Sequence, residues 1–155
     1  MGGSVCGWPV RVATSHLESP TGWDQLFSEQ RVAQCKQAAA VLDKAREGDV
    51  LFAGDMNWGP NDGAPPLPAG WSDAWPHLHS EEAGLTYDPR TNPMLKKGKR
   101  VIRRRLDRVF VRLHHWRLHS MELVGREALP GLEHEGRPVL PSDHFGIFLV
   151  LRPAR

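Results

Sequence analysis

Four short stretches of this 155-residue chain set polar side chains against apolar runs. His16 follows the alternating segment 10–15; Asp55 and Asn57 follow Val50-Leu51-Phe52-Ala53 within Gly54-Asp55-Met56-Asn57; Asp107 sits in Leu106-Asp107-Arg108-Val109-Phe110; Asp143 and His144 precede the apolar run 145–151. Carboxylates, an amide and imidazoles gathered at one sheet edge suit metal-assisted phosphoryl transfer. Oxygen ligands favour a hard cation, Mg²⁺, over zinc or copper. A serine or cysteine triad has less support. Each stretch alone also has an ordinary reading. Asp55 and Asn57 suit an Asx-turn, Asp107 an exposed strand residue paired with an arginine, and Ser142-Asp143-His144 a turn with a satisfied histidine. Convergence at one site is the simplest account of all four together.

The elements that must position these groups are partly legible. Residues 10–15 (VRVATS) alternate apolar and polar side chains and read as a strand stopped by Pro20. Over residues 24–47, Leu26, Val32, Cys35, Ala39 and Leu42 fall on one helical stripe, with Gly48 as its stop. Residues 50–53 read as a buried strand, and 61–70 as a Pro/Gly-rich loop. Residues 71–79 show no period. Residues 106–112 and 116–124 read as neighbouring strands, joined as a hairpin through Leu113-His114-His115. Residues 125–141 read as a long connection, and 145–151 as a strand buried on both faces. The sum is about five strands and one long helix, an α/β (α+β) fold without repeats or an interdomain linker.

Composition bounds the function classes. Apolar residues make up 40% and charged residues 25%, enough for a packed core and too ordered for a disordered tail, while a net charge of +2 selects no partner. No apolar run is long enough for a membrane span, and residues 1–9 lack the basic and apolar regions of a signal peptide. Cys6 and Cys35 are expected as two free thiols in an intracellular setting. The positive charge is local: residues 96–105, KKGKRVIRRR, contain no acid. This run reads either as a solvated loop or targeting signal, or as a phosphate-steering surface. It leads into the Asp107 strand, which puts Arg105 beside the expected site. His77/His79 and His114/His115/His119 lack cysteine partners and are left outside it.

In this order the motifs resemble the C-terminal half of the endonuclease/exonuclease/phosphatase superfamily, whose fold is the four-layer sandwich of deoxyribonuclease I. Thr14-Ser15-His16-Leu17-Glu18-Ser19, Phe52-Ala53-Gly54-Asp55-Met56-Asn57, Leu85-Thr86-Tyr87-Asp88, Leu106-Asp107-Arg108-Val109-Phe110 and Pro141-Ser142-Asp143-His144-Phe145-Gly146 are similar to the tyrosyl-DNA phosphodiesterase 2 subfamily within it. The resemblance runs over residues 10–152, with 1–9 as an extension or a truncation scar. It implies that Asp55 orients or deprotonates a water and Asn57 holds the scissile phosphate. It also implies that a cationic His144, charged by Asp107, stabilises the phosphoryl oxygens, with His16 and Asp143 on the phosphate or metal side. His16, Leu17, Glu18, Ser19, Asn57, Trp58, Tyr87, Arg105 and Leu106 would bind substrate, Tyr87 as the platform against a DNA end.

The implied activity is Mg²⁺-dependent (or Mn²⁺-dependent) hydrolysis at DNA 5′ ends carrying a covalent tyrosine or peptide, in DNA repair. The expected compartment is the nucleus, with the cytoplasm as the alternative. A phenolic leaving group with a pKa near 10 asks for no strong general acid. The alternatives are another endonuclease or phosphatase of the same fold, or a catalytically dead nucleic-acid-binding fragment. The superfamily's first half supplies an asparagine and a metal-binding glutamate that have no match here, so weak metal binding, an exposed sheet face and little activity are expected of these 155 residues.

Overall fold

The computed structural model describes residues 2–5, 7–22, 26–95 and 101–154. In chain order its elements are β1 (Gly2–Val5), β2 (Trp8–Thr14), α1 (Ser28–Asp43), β3 (Asp49–Asp55), β4 (Ser72–Asp73), α2 (Ala74–Leu78), β5 (Asp107–Arg112), β6 (Trp116–Val124), β7 (Glu133–His134), β8 (Arg137–Pro138) and β9 (Gly146–Pro153). A five-stranded sheet runs in the order β1-β2-β3-β5-β4. Only β2 and β3 are parallel in it, joined by the α1 crossover that such a pair requires. β6 and β9 form a second, two-stranded sheet, and β7 and β8 a small hairpin.

Side chains alternate across a strand, so β3 and β5 feed two layers at once. Val50, Phe52 and Phe110 face α1 and pack with Cys35, Val32, Ala38 and Leu42. Leu51, Ala53, Val109 and Val111 face the other way, onto Ala74 and Trp75 of α2 and onto Met121, Leu118, Ile147 and Leu149 of the second sheet. Burying an aromatic such as Phe52 or Phe110 completely contributes roughly 2–3 kcal/mol relative to exposure, so this stack is what fixes the strand ends. The molecule is thus α+β, a helix layer, a mixed sheet and a second sheet. Asp55 lies two residues beyond Ala53 and Asp107 two before Val109, so both emerge on the second face, at the rim between the sheets.

Several expectations are corrected. α1 spans Ser28–Asp43 and is capped at Lys44, short of Gly48; residues 23–25 at its expected start lie outside the described residues. Its buried line is Arg31, Cys35 and Ala39. Arg31 is admitted because its guanidinium makes two 2.9 Å hydrogen bonds to the buried Asp62 carboxylate, and a buried charge must be paired. β5 and β6 are not a hairpin. The backbone N–H groups of His114, His115 and Trp116 donate to Asp49 Oδ1, a capture that turns the chain out of the first sheet and into the second. β9 is not buried on both faces: the second sheet has nothing over its outer side among the described residues, and Phe148 is 53% exposed. Residues 71–79 form β4 and α2, and residues 2–5 pair antiparallel with β2. Cys35 is a buried free thiol, pushed up to about 11 by burial against the opposing field of Arg108; Cys6 lies outside the described residues. No described helix is long and apolar enough to cross a membrane.

Candidate active site

Asp55 and Asp107 are register partners, the last pair of the β3–β5 ladder. Like charges directly opposite on adjacent strands destabilise a sheet, so two carboxylates here need a compensating cation. His144, when protonated, supplies one. Its Nδ1 donates to Asp107 Oδ2 across 2.8 Å, since an ionised carboxylate can only accept. That bond holds the imidazole's pKa above its ordinary value against the opposing effect of burial, and the nearby Asp55 and Asp143 charges add to the rise. Ligand atoms of Asp55, Asp107 and His144 lie within 4.8 Å of one another. His16 Nε2 stands 3.5 Å from Asp55 Oδ2.

The backbone that presents these groups is tightly specified. Gly54 has φ +141°, and a Cβ there would stand 2.1 Å from the Ser15 carbonyl oxygen, so only glycine lets the end of β2 approach the end of β3. Leu17 N–H then donates to Asp55 O, and Asn57 Nδ2 donates to Leu17 O at 3.0 Å. Asn57 N–H donates to Asp55 Oδ1 at 2.9 Å, an Asx-turn, with Asn57 itself at φ +48°. The turn and the site coexist, because Oδ2 is left facing His16.

Two positioning residues were not singled out in the sequence. Thr86 Oγ1, fully buried, accepts from the backbone N–H of Leu106 and of Asp107, both at 3.0 Å, while its carbonyl accepts from Phe145 N–H. It therefore ties the Asp107 strand to the residue after His144. Asn92 Nδ2, also buried, donates to the carbonyls of Ser142 and Asp143 and so fixes the turn that carries His144. The available signals were Thr86 within Leu-Thr-Tyr-Asp and an asparagine within a Pro-rich turn cluster.

A cleft of about 490 Å³ opens at the cluster. Its lining includes His16, Ser19, Asp55, Asn57, Tyr87, Leu106 and His144 of the expected residues, together with Leu26, Ile102 and Arg104. Tyr87 meets the His144 ring edge-on, centroids 5.3 Å apart. The remaining expected residues are elsewhere. Trp58 is a core residue whose Nε1 donates to Gly63 O, and the Leu17 side chain is buried in the same core. Glu18 is tied to α1 through Gln34. Arg105 is corrected as a cleft residue: it forks onto Asp73 at 2.9 and 3.0 Å, and Arg104 lines the cleft instead. Asp143 is exposed and outside the close cluster, and among the described residues its carboxylate accepts from Ser142 Oγ. Lys96, Lys97, Lys99 and Arg100 lie outside the described residues.

The donor chemistry of the cluster suits a hard divalent cation. Two carboxylates, with phosphate oxygens and water completing the shell, are a usual magnesium arrangement. The His144 Nδ1, already bound to Asp107, is not a free ligand. Among the described residues the ligand atoms that group closely enough for an ion are those of Asp55, Asp107 and His144, and Asp143 is not in that group.

Residues 2–144 match the sequence model of the Endonuclease/Exonuclease/phosphatase family. Tyrosyl-DNA phosphodiesterase 2 of Danio rerio is 33% identical over 149 residues, covering 92% of this chain and 38% of that protein. The crystal structure of the D. rerio enzyme complexed with single-strand DNA product superposes with a TM-score of 0.81 at 31% identity, over 97% of this chain and 59% of that one. The Caenorhabditis elegans enzyme gives a TM-score of 0.71 at 27% identity, over 94% of this chain and 43% of that one. Staphylococcus aureus beta toxin, at 22% identity and a TM-score of 0.70 over 96% of this chain and 55% of that one, shares the fold. The chain thus spans well under two thirds of the length of these relatives.

Proposed function

The chain belongs to the Endonuclease/Exonuclease/phosphatase family, and we propose that within it the protein is a divalent-metal-dependent phosphodiesterase that hydrolyses 5′-phosphotyrosyl DNA linkages, as a DNA-repair activity. The observation that carries this reading is the Asp55–Asp107 register pair closed by His144 at the mouth of a cleft. The likeness to tyrosyl-DNA phosphodiesterase 2 supports the choice of substrate.

The residues divide the work by position. Asn57, its side-chain amide oriented by Leu17 O, would hold the scissile phosphate. The Asp55 oxygen that is free of the Asx-turn accepts the proton of an attacking water and aligns it. His144, kept cationic by Asp107, faces the charge that develops on the phosphoryl oxygens. The carboxylates of the cluster would hold Mg²⁺ or Mn²⁺, which when bound supplies Lewis-acid neutralisation of those oxygens. The phenolate leaves without a strong acid, its pKa being near 10. The products are a 5′ phosphate and a free tyrosine or peptide. Tyr87 and the apolar Leu106 and Ile102 offer the flanking wall on which a terminal base would stack.

The test offers the purified protein 5′-phosphotyrosyl oligonucleotide, abasic duplex DNA and inositol phosphates, with Mg²⁺, Mn²⁺ or chelator. Metal-dependent release of tyrosine is expected to exceed the other two rates. Turnover confined to abasic DNA or inositol phosphate overturns the substrate, and salt-sensitive DNA binding without turnover of any of them overturns the enzymatic reading.

A further inference from the structure

Several of the described arginines are already paired with carboxylates. Arg31 holds Asp62, Arg103 holds Asp88, Arg105 and Arg108 share Asp73, and Arg112 holds Asp43. Arg104 differs. Its backbone is clamped by two 2.9 Å hydrogen bonds exchanged with Tyr87, its side chain lines the cleft, and among the described residues no carboxylate pairs with it. The guanidinium lies over Gly59: a Cβ at that position would be 2.6 Å from Arg104 Nη1. Gly59 has φ −111°, an extended conformation that any residue adopts. The backbone does not demand glycine there, and a Cβ would push aside the mobile end of the Arg104 side chain. Gly59 is also only two Cα steps of about 3.8 Å from Asn57, so the seat adjoins the scissile position without being part of the cluster.

We propose that Arg104 is a specificity-determining residue that binds a second, non-reacting phosphate of a nucleic-acid strand whose terminal phosphate lies at Asp55 and His144, and that Gly59 is a positioning residue that leaves room for its guanidinium. The inference rests on reading the cleft as a phosphodiester site. A strand carries a phosphate at every nucleotide, and an unneutralised guanidinium is the donor that fits one by paired N–H···O bonds. A mononucleotide has nothing for Arg104 to hold. The device therefore selects polymer over monomer, and affinity should rise at the second nucleotide.

Binding is measured for a 5′-phosphorylated tetranucleotide and for a 5′-mononucleotide, each across a range of salt. Arg104→Gln is expected to weaken the tetranucleotide about tenfold and, by removing one single-strand phosphate contact, to flatten the log–log salt slope by about 0.7. The mononucleotide should bind as to wild type. Gly59→Ala keeps every charge, yet should reproduce the tetranucleotide loss, with the circular dichroism and Tm of wild type. Equal losses on both ligands, or wild-type tetranucleotide affinity or salt slope in Arg104→Gln, overturn the role of Arg104. Gly59→Ala that binds like wild type overturns the role of Gly59. If the wild type binds with this pattern but hydrolyses no phosphodiester, the proposed function fails and Arg104 keeps its place. If it hydrolyses tyrosyl-DNA and both variants bind like wild type, only this inference fails.

Discussion

Each end of the β3–β5 ladder holds a histidine whose Nδ1 donates to a carboxylate at nearly the same distance, 2.7 Å from His115 to Asp49 and 2.8 Å from His144 to Asp107. The surroundings differ. Asp49 is fully buried, and its other oxygen accepts from the backbone N–H groups of His114, His115 and Trp116, while the His115 ring stacks on Trp8 with centroids 4.1 Å apart. Every acceptor direction is used, so that end is a structural lock. Asp107 takes one ring nitrogen and stands opposite a second carboxylate, and both of these partners, His144 and Asp55, line a cleft. A histidine–carboxylate pair is therefore no sign of chemistry by itself; unspent hydrogen-bonding capacity facing a cavity is.

The sharpest way to break that contrast is to cut both ends. Asp55→Asn and His144→Ala should each lower kcat by roughly 10²–10⁴ while leaving oligonucleotide affinity largely intact, because they remove transition-state interactions. His115→Ala should leave kcat within about twofold, as expected of a group outside the reaction. Steady-state kinetics on one substrate read all three. Wild-type rates in Asp55→Asn, or a large loss in His115→Ala, would put the chemistry at the wrong end.

The lock should answer in stability. Asp49→Ala strips an acceptor from three backbone N–H groups, and removing one partner of a buried network costs on the order of 3 kcal/mol. Denaturant unfolding should show it as a lower midpoint, with kcat of the remaining folded protein unchanged. Burial pushes the Asp49 carboxyl up, but the His115 ring and the three backbone donors outweigh it and hold it below its usual range. Its contribution is thus present above the unfolded carboxyl value near 3.9 and lost as pH falls through the lower folded value. An acid midpoint unmoved in Asp49→Ala would refute the lock.

The same contrast explains what could be read from sequence. The strand ending at Gly54-Asp55-Met56-Asn57 and the strand from Asp107 were legible because apolar alternation and a polar terminus are local signals. The turn at His114 was not, because the group that bends it, Asp49, lies 65 residues earlier and gives no local mark. Thr86 and Asn92 escaped for the same reason: each acts by bonding backbone that is distant in sequence. Arg105 in place of Arg104 is a one-residue choice in an extended segment, where neighbours point to opposite sides, and the basic run carries no alternation to settle it. Trp58 was expected to bind substrate, whereas an indole in that turn is more favourably buried, with its N–H on Gly63 O.

The smallest effect separates the two pairs by pH. At the open end the Asp107 hydrogen bond is the main cause that raises the His144 pKa, so the imidazolium that the proposed reaction uses persists above the ordinary value near 6.5 and is lost as pH climbs through the raised one. Asp107→Asn keeps the shape of the side chain and removes its charge, leaving Asp55 and Asp143 as weaker supports. The alkaline limb of kcat should move down, and a shift of one unit would show as about a tenfold loss on that limb and little loss at pH 6. The pair's share of folding stability has the same sign: full below the unfolded imidazole value, and gone once pH passes the folded one. Asp107→Asn should remove that pH dependence of Tm along with the kinetic limb. If the limb stays in place while Tm falls uniformly with pH, Asp107 serves only to hold the strand end, and the two pairs are the same device after all.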